Sequence, residues 1–276
     1  MIPARMSLMS EPLLSRRAVL LGLGSLALGL SLPTQRAAAT TLAPRTFDYR
    51  VDISMLFNLL RYSVGGSMVE EVDAEAGRYR VLITGSGTGV TSRIEARGLI
   101  DNGRYRPLEL KSAHSFVGRP SSLSITYDYA RGLVDYHAVG HTLLSGKRRL
   151  VDDVVVLPQD PPVDDAVSAG LNFAAGRLEQ DPDGAYRMTV LRRSRPRGEG
   201  PDDVTPGAYR VEVVPVRFQV ERDPGTGKLI AQVDMSGWSS WARADQPARL
   251  VFTPERRLES IESRMIWGST VRMRLS

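Results

Sequence analysis

The sequence predicts a mainly β protein: a large, curved antiparallel sheet with one or two short covering helices. Polar and apolar residues alternate over short segments in most of the chain, as in strands with one buried and one solvated face. The segments end at Gly, Asn, Asp or Pro, the residues that turns favour. Apolar residues at helical spacing are scarce, so few helices are expected.

The first 39 residues have the pattern of a bacterial export signal. Arg16 and Arg17 stand directly before the apolar run Ala18–Leu32, whose 15 residues are fewer than the roughly 20 that a membrane-spanning helix needs. Small residues at positions 37–39 match a signal-peptidase site.

We therefore predict a twin-arginine type signal peptide over residues 1–39, cleaved after Ala39. The remaining residues 40–276 are expected to form a β-rich periplasmic domain without a stable membrane anchor, with a candidate internal boundary near residues 157–180. A signal for the general export route and an uncleaved N-terminal anchor are the alternatives.

Strands and turns follow one another in order along residues 40–276. Asn102 and Gly103 predict a tight hairpin turn, because both residues tolerate the positive φ angles that such turns demand. The predicted strands are Arg78–Thr84, Thr91–Leu99, Leu108–Phe116, Leu123–Tyr129, Leu133–Val139, Tyr186–Arg193, Gly207–Glu221, Lys228–Met235, Ala248–Thr253, Leu258–Trp267 and Thr270–Leu275.

One segment, Asp160–Gly176, predicts a short helix. Asp164 is the expected N-terminal cap, and Gly176 can end the helix. The apolar positions at helical spacing are expected to pack on the sheet. They are Ala166, Val167, Gly170, Leu171 and Ala174.

Charge and cysteine content exclude several classes of protein. The formal net charge of +5 falls to +2 without residues 1–39, which hold four basic residues and one acidic residue. Nucleic-acid binding requires a dense basic surface, so no nucleic-acid partner is expected. The chain has no cysteine, so it has neither a lipoprotein attachment site nor a disulfide.

The polar motifs do not predict a catalytic or metal site, and no cofactor is expected. His137 and His141 are four apart, a metal-binding spacing on a helix, but they lie in a predicted strand. The Gly-rich segment Gly85–Gly89 lacks the lysine of a phosphate-binding loop and is expected to be a hairpin loop. His114 is the remaining histidine.

Acidic residues occur in neighbouring pairs at Asp152–Asp153, Asp164–Asp165 and Asp202–Asp203. A glycosidase needs two carboxylates that face each other across a cleft, whereas neighbours on a strand point to opposite faces. No pair is therefore assigned a catalytic role.

Three tryptophans, Trp238, Trp241 and Trp267, are the candidate ligand-binding residues. A rigid aromatic face can pack against sugar rings or acyl chains. The alternative is that these side chains fill the core or cover an end of the sheet.

The order of features in residues 40–276 resembles an exported bacterial family of unknown function, DUF3108. The matching segments are the strand around Tyr49, Arg104–Leu108, Ile125–Asp128, Leu157–Ser168, Leu250–Leu258 and Trp267–Leu275. The resemblance implies an architecture similar to that of periplasmic lipoprotein carriers, in which a curved sheet and covering helices enclose an acyl-chain cavity. It implies no catalytic residues.

These observations lead to a first hypothesis, a non-enzymatic periplasmic protein whose curved sheet binds an amphipathic envelope ligand, lipid or glycan, or a partner protein. It predicts a cavity lined by Val, Leu, Ile and the tryptophans. A second hypothesis is a periplasmic hydrolase acting on envelope glycan or ester, and a third is an envelope assembly partner that binds through exposed sheet edges.

Overall fold

The computed structural model describes residues 44–142, 145–194, 196, 198–200, 202–237, 239 and 241–276. All of them lie within one compact unit. The signal-peptide prediction, with Arg16, Arg17 and cleavage after Ala39, falls outside the described residues.

The main element is an open antiparallel sheet of 13 strands, which confirms the predicted fold class. Its strand order is β13-β14-β15-β16-β17-β1-β2-β3-β4-β5-β6-β7-β8. The strands are β1 (Arg45–Met55), β2 (Leu60–Asp73), β3 (Arg78–Gly87), β4 (Val90–Asp101), β5 (Arg104–Phe116), β6 (Arg119–Asp128), β7 (Leu133–His141), β8 (Arg148–Val156), β13 (Val220–Arg222), β14 (Leu229–Val233), β15 (Ala248–Phe252), β16 (Leu258–Arg264) and β17 (Thr270–Leu275).

A second, smaller sheet comes from the segment between β8 and β13. This segment forms β9 (Val163–Asp164), α1 (Ala166–Ala174), β10 (Glu179–Gln180), β11 (Tyr186–Arg193) and β12 (Val211–Phe218). The strands β10, β11 and β12 are antiparallel, and β9 pairs with β11 in parallel. The sequence did not indicate that these strands would leave the main sheet.

The hairpins of the main sheet place alternate turns at opposite ends. The turns β1–β2, β5–β6 and β16–β17, with the loop between β14 and β15, lie at one end, while the turn β4–β5 lies at the other. Asn102 and Gly103 have φ angles of 51° and 76°, as predicted for that turn. The expected Gly85–Gly89 loop is shorter, because β3 continues to Gly87.

Glycines allow the main sheet to curve. A Cβ atom on Gly66 would lie 2.0 Å from the backbone oxygen of Thr84, and one on Gly98 would lie 2.1 Å from that of Arg106. Only glycine fits where neighbouring strands approach this closely, and glycine positions of this kind bend sheets. The ring of Tyr49 covers Gly66 on the inner face.

The helix α1 begins one residue later than predicted. Asp165 is the N-cap and accepts from the backbone N–H groups of Val167 and Ser168 at 2.8 and 2.7 Å. Asp164, the predicted cap, lies instead in β9. Gly176 follows the C-cap Ala175 with φ of 67°, as expected for a residue that ends a helix.

The buried face of α1 also differs from the prediction. It consists of Ser168, Ala169, Asn172 and Phe173, whereas the predicted apolar face is exposed or only half-buried. Asn172 is buried because it bonds the backbone of Tyr105 in β5, and Ser168 is buried because it bonds the cap residue Asp165. In the part of the chain that the structure describes, no helix has the length and apolar character to cross a bilayer.

The core lies between the two sheets. Phe173 of α1 contacts the rings of Tyr186, Phe218 and Phe252, with centroids 4.6 to 6.0 Å apart. Tyr186 and Phe218 belong to the small sheet and Phe252 to β15. The small sheet and α1 therefore fill part of the inside of the curved main sheet.

Candidate binding surface at one end of the sheet

Two of the three predicted tryptophans lie together. Trp267 belongs to the β16–β17 turn and Trp241 to the loop between β14 and β15. Their rings meet edge to face, with centroids 5.3 Å apart. Trp238 lies outside the described residues.

Backbone contacts fix this tryptophan pair. Ile266 N–H donates to the carbonyl of Trp241 at 2.8 Å, and Ala242 forms an antiparallel bridge with Met265. The loop is therefore held against the turn that carries Trp267, so the two rings are positioned by the backbone on both sides.

The β1–β2 turn has an unusual backbone. Leu56, Phe57 and Asn58 have positive φ angles of 51°, 56° and 71°, and Trp267 has φ of 52°. Large side chains rarely adopt this left-handed region, which costs about 1–2 kcal/mol per residue. Surrounding contacts must therefore hold these residues in place.

The β1–β2 and β16–β17 turns supply those contacts to each other. Phe57 N–H donates to the carbonyl of Trp267 at 2.9 Å, and Leu56 N–H donates to Ser269 Oγ at 3.2 Å. The Phe57 ring packs directly on Gly268, where a Cβ atom would lie only 2.6 Å from it. The two turns thus form one locked unit.

Despite these backbone contacts, the apolar side chains of the two turns face solvent. Phe57 is 72% exposed, Leu59 is 81% exposed and Trp267 is 41% exposed. We call Phe57, Leu59, Leu60, Trp241 and Trp267 the apolar rim. Exposed apolar side chains gathered on neighbouring turns are typical of a site that binds a partner, ligand or membrane.

The β5–β6 turn extends the apolar surface at the same end. Val117 is exposed and has φ of 50°, an outlier for a β-branched residue. Just inside this turn, Phe116 of β5 meets Tyr62 of β2 edge to face at 4.8 Å. The β3–β4 hairpin turns back before it reaches the level of Tyr62. The two rings therefore meet across the turn of this hairpin.

Two shallow depressions lie elsewhere on the main sheet. One, of about 570 Å³, has Arg93, Ser115 and His141 among its lining residues, and the other, of about 470 Å³, includes Gly65 and Thr84. Both are open to solvent and neither includes a tryptophan. Trp241 and Trp267, expected to line a cavity, stand instead at an open end of the sheet.

His114 and His141 both line the depression of about 570 Å³, whereas His137 is not among its lining residues. His114 Nδ1 lies 2.9 Å from Ser92 Oγ, and burial lowers the pKa of His114. His137 lies 3.7 Å from Asp152, and His141 Nδ1 lies 2.7 Å from the carbonyl of Pro120. Within the described ranges, no three histidine or acidic side chains are grouped as metal ligands.

The carboxylate pairs have structural partners. Asp164 forms an ion pair with Arg104 at 2.6 Å and is almost completely buried, while Asp165 caps α1. Asp153 accepts from Val211 N–H at 2.8 Å, and Asp203 accepts from Gly200 N–H at 3.0 Å. These hydrogen bonds hold loops, strands and α1 in place.

Three comparisons relate this chain to known proteins. No family model matches the chain, and no curated protein matches its sequence. Solved structures do match. One of them is a β-barrel-like protein of a domain of unknown function, DUF1849, from Brucella abortus, with 10% identity and a TM-score of 0.37 over 86% of this chain and 97% of that chain. Membership of DUF3108 stays a prediction.

Sequence reasoning missed Phe57 and Leu59. The signal that could have found them is the run Met55–Leu60, in which five of six residues are apolar and only Asn58 favours a turn. An apolar run that occupies a hairpin turn indicates side chains exposed for a purpose other than folding.

Proposed function

We propose that this protein is exported to the periplasm and acts there as a non-enzymatic protein that binds an amphipathic component of the cell envelope through the apolar rim. The observation that carries this proposal is the exposure of Phe57, Leu59 and Trp267 on turns locked in a costly backbone conformation. The export step rests on the sequence pattern of residues 1–39.

The exposed rim supports a binding role because folding alone gives no reason for it. Burying apolar surface stabilises by about 25 cal/mol per Å² removed from water, and these side chains forgo that gain in the free protein. A ligand with an apolar part would recover it. The polar part of an amphipathic ligand would remain in water, as the open position of the rim requires.

The chemistry of the remaining polar residues supports binding rather than catalysis. Asp164 and Asp165 are buried beneath α1, where a substrate has no access, and Asp153 and Asp203 hold backbone groups. Asp153, Asp164 and Asp203 are thus occupied by structural hydrogen bonds, and Asp165 caps α1 through one of its two carboxylate oxygens.

A fluorescence titration tests this proposal. Residues 40–276, which contain every described residue, are titrated with lysophosphatidylglycerol below its micelle concentration, and tryptophan emission is recorded. We expect a saturable shift of the emission to shorter wavelength, because Trp241 and Trp267 lie in the rim.

The matched variants are the double substitutions Phe57→Ser with Leu59→Ser, in the rim, and Val154→Ser with Val156→Ser, on β8. Val154 and Val156 are 58% and 73% exposed, so the control removes comparable apolar surface elsewhere. The rim variant should bind at least about tenfold more weakly and the control as wild type. An unchanged titration of the rim variant, or no saturable shift in the wild type, would overturn the proposal.

A further inference from the structure

A basic row crosses the outer face of the main sheet directly behind the apolar rim. The strand register places Arg61 of β2 opposite Ser54, Ser54 opposite Thr270 of β17, and Thr270 opposite Arg264 of β16. Residues opposite each other in an antiparallel sheet share a face. Two arginines therefore flank two hydroxyl side chains in one row.

The carboxylates nearest this row, Asp52 and Glu262, lie in the next row on the same face, where they also pair with Arg50 and Arg272. Among the described residues no ion pair is formed by Arg61, and Arg264 has only Glu262 at 3.9 Å, with both side chains solvated. The row contains no acidic residue. Solvated arginines without close partners attract anions, phosphate in particular.

The rim and the row form two layers at this end of the sheet. A strand rises about 3.3 Å per residue, so Arg61 lies roughly 7 Å behind Leu59 along the chain. Strands lie about 4.8 Å apart, so Arg61 and Arg264 are separated by roughly 14 Å across three strand steps. The apolar rim is therefore at the very end of the sheet, and the two arginines lie about 7 Å further along the strands.

We propose that the apolar rim docks this protein on the surface of an anionic phospholipid bilayer. Phe57 and Leu59 enter the boundary between headgroups and acyl chains, and Arg61 and Arg264 contact the phosphates. This proposal rests on the proposed function and names its partner as a bilayer surface.

The layering matches the physical chemistry of a membrane interface. Peripheral segments bury their apolar side chains about 5–10 Å into the headgroup–acyl boundary, the same depth that separates the rim from the basic row. Tryptophan prefers the interfacial layer, where Trp241 and Trp267 would lie. Anionic headgroups attract cations placed at the surface.

The position of the apolar residues favours a bilayer over a folded protein partner. They stand on projecting turn tips, and the charges lie behind them on an adjoining face. A protein interface instead surrounds its apolar centre with polar residues on one surface. A fluid bilayer accepts projecting tips without a complementary pocket.

Co-sedimentation with vesicles tests the proposal. Residues 40–276 are mixed with large vesicles of phosphatidylethanolamine and phosphatidylglycerol, and separately with vesicles of phosphatidylcholine alone. We expect binding to the anionic vesicles that weakens at least about fivefold when NaCl is raised from 0.05 to 0.5 M, because salt screens the arginines.

Two pairs of double variants test the apolar rim and the basic row separately. Phe57→Ser with Leu59→Ser should lower the partition coefficient on anionic vesicles at least about tenfold, and Val154→Ser with Val156→Ser should leave it unchanged. Arg61→Gln with Arg264→Gln should remove most of the salt dependence. Arg78→Gln with Arg131→Gln, at the opposite end of the sheet, should retain it. Circular dichroism and the urea midpoint verify that each variant is folded.

The outcomes distinguish this inference from the proposed function. If lysophosphatidylglycerol binds at the rim but the vesicles do not sediment the protein, docking on a bilayer is wrong and the proposed function stands. If neither binds, both are wrong. Sedimentation that is equal for the wild type and the rim variant would place the contact elsewhere and overturn the inference.

Discussion

At the scale of single residues, the neighbours Asp164 and Asp165 have different roles. Asp165 caps α1, whereas Asp164 accepts from Arg104 Nη2 at 2.6 Å and from Asn172 Nδ2 at 3.0 Å. Asn172 also pairs with the N–H and the carbonyl of Tyr105, at 2.8 and 2.9 Å. These bonds hold α1 against β5. Burial outweighs the effect of Arg104 and raises the pKa of Asp164 to about 6.

This raised pKa predicts a pH-dependent contribution to stability. The folded protein holds a proton on Asp164 up to about pH 6, whereas the unfolded chain releases it near pH 4. The free energy of unfolding of the wild type, relative to Asp164→Asn, should therefore fall as pH rises from about 4 to 6. Urea titrations of both proteins across this range measure the difference.

Asp181 provides a control, because its contribution to stability should change with pH in the opposite direction. Hydrogen bonds from Arg217 and Arg187 lower the pKa of Asp181, so its contribution to stability is lost as pH falls. The difference between the wild type and Asp181→Asn should rise with pH in the acidic range. A flat difference for Asp164→Asn between pH 4 and 6 would show that its pKa is not raised.

At the scale of elements, two adjacent glycines of β2 have different surroundings. A Cβ atom on Gly66 would collide with the backbone of β3 and lie 2.7 Å from the Tyr49 ring, whereas one on Gly65 would meet nothing within 4 Å. The two positions point to opposite faces of the strand. The close approach of β2 to β3 and to Tyr49 therefore depends on Gly66 and not on its neighbour.

We predict opposite effects of alanine at these two positions. Gly66→Ala should lower the free energy of unfolding by about 1–3 kcal/mol or more, because the strands must separate to admit a methyl group. Gly65→Ala should be neutral or stabilising by up to about 1 kcal/mol, because alanine restricts the unfolded chain. Urea unfolding of the two variants tests this, and equal destabilisation would contradict it.

At the scale of the whole molecule, the two sheets share one core. Phe173 lies between Tyr186 and Phe218 of the small sheet and Phe252 of the main sheet. The segment that forms α1 and the small sheet is inserted between β8 and β13 of the main sheet. Neither sheet can lose this contact without exposing the apolar side chains of the other, so we expect the described unit to unfold cooperatively.

The variant Phe173→Ala tests this coupling. It should lower the free energy of unfolding by about 3–5 kcal/mol, the usual cost of removing a buried aromatic ring. Hydrogen exchange should then accelerate in both β11 and β15 by a similar factor. Faster exchange confined to the small sheet would show that the main sheet is stable by itself.

The sequence by itself determined many of the local elements of this protein, because strand alternation and turn chemistry are properties of neighbouring residues. The predicted strand Gly207–Glu221 was wrong, since this segment forms β12 of the small sheet and β13 of the main sheet. The bounds of β11 and β17 and the turn at Asn102 and Gly103 agree with prediction.

Only the tertiary structure decided which face of α1 is buried, since the hydrogen bonds of Asn172 are made with Tyr105, a residue distant in the chain. The division into two sheets depends on long-range pairing in the same way. The apolar rim was also decided there, because long-range hydrogen bonds bring the turn that carries Phe57 against the turn that carries Trp267.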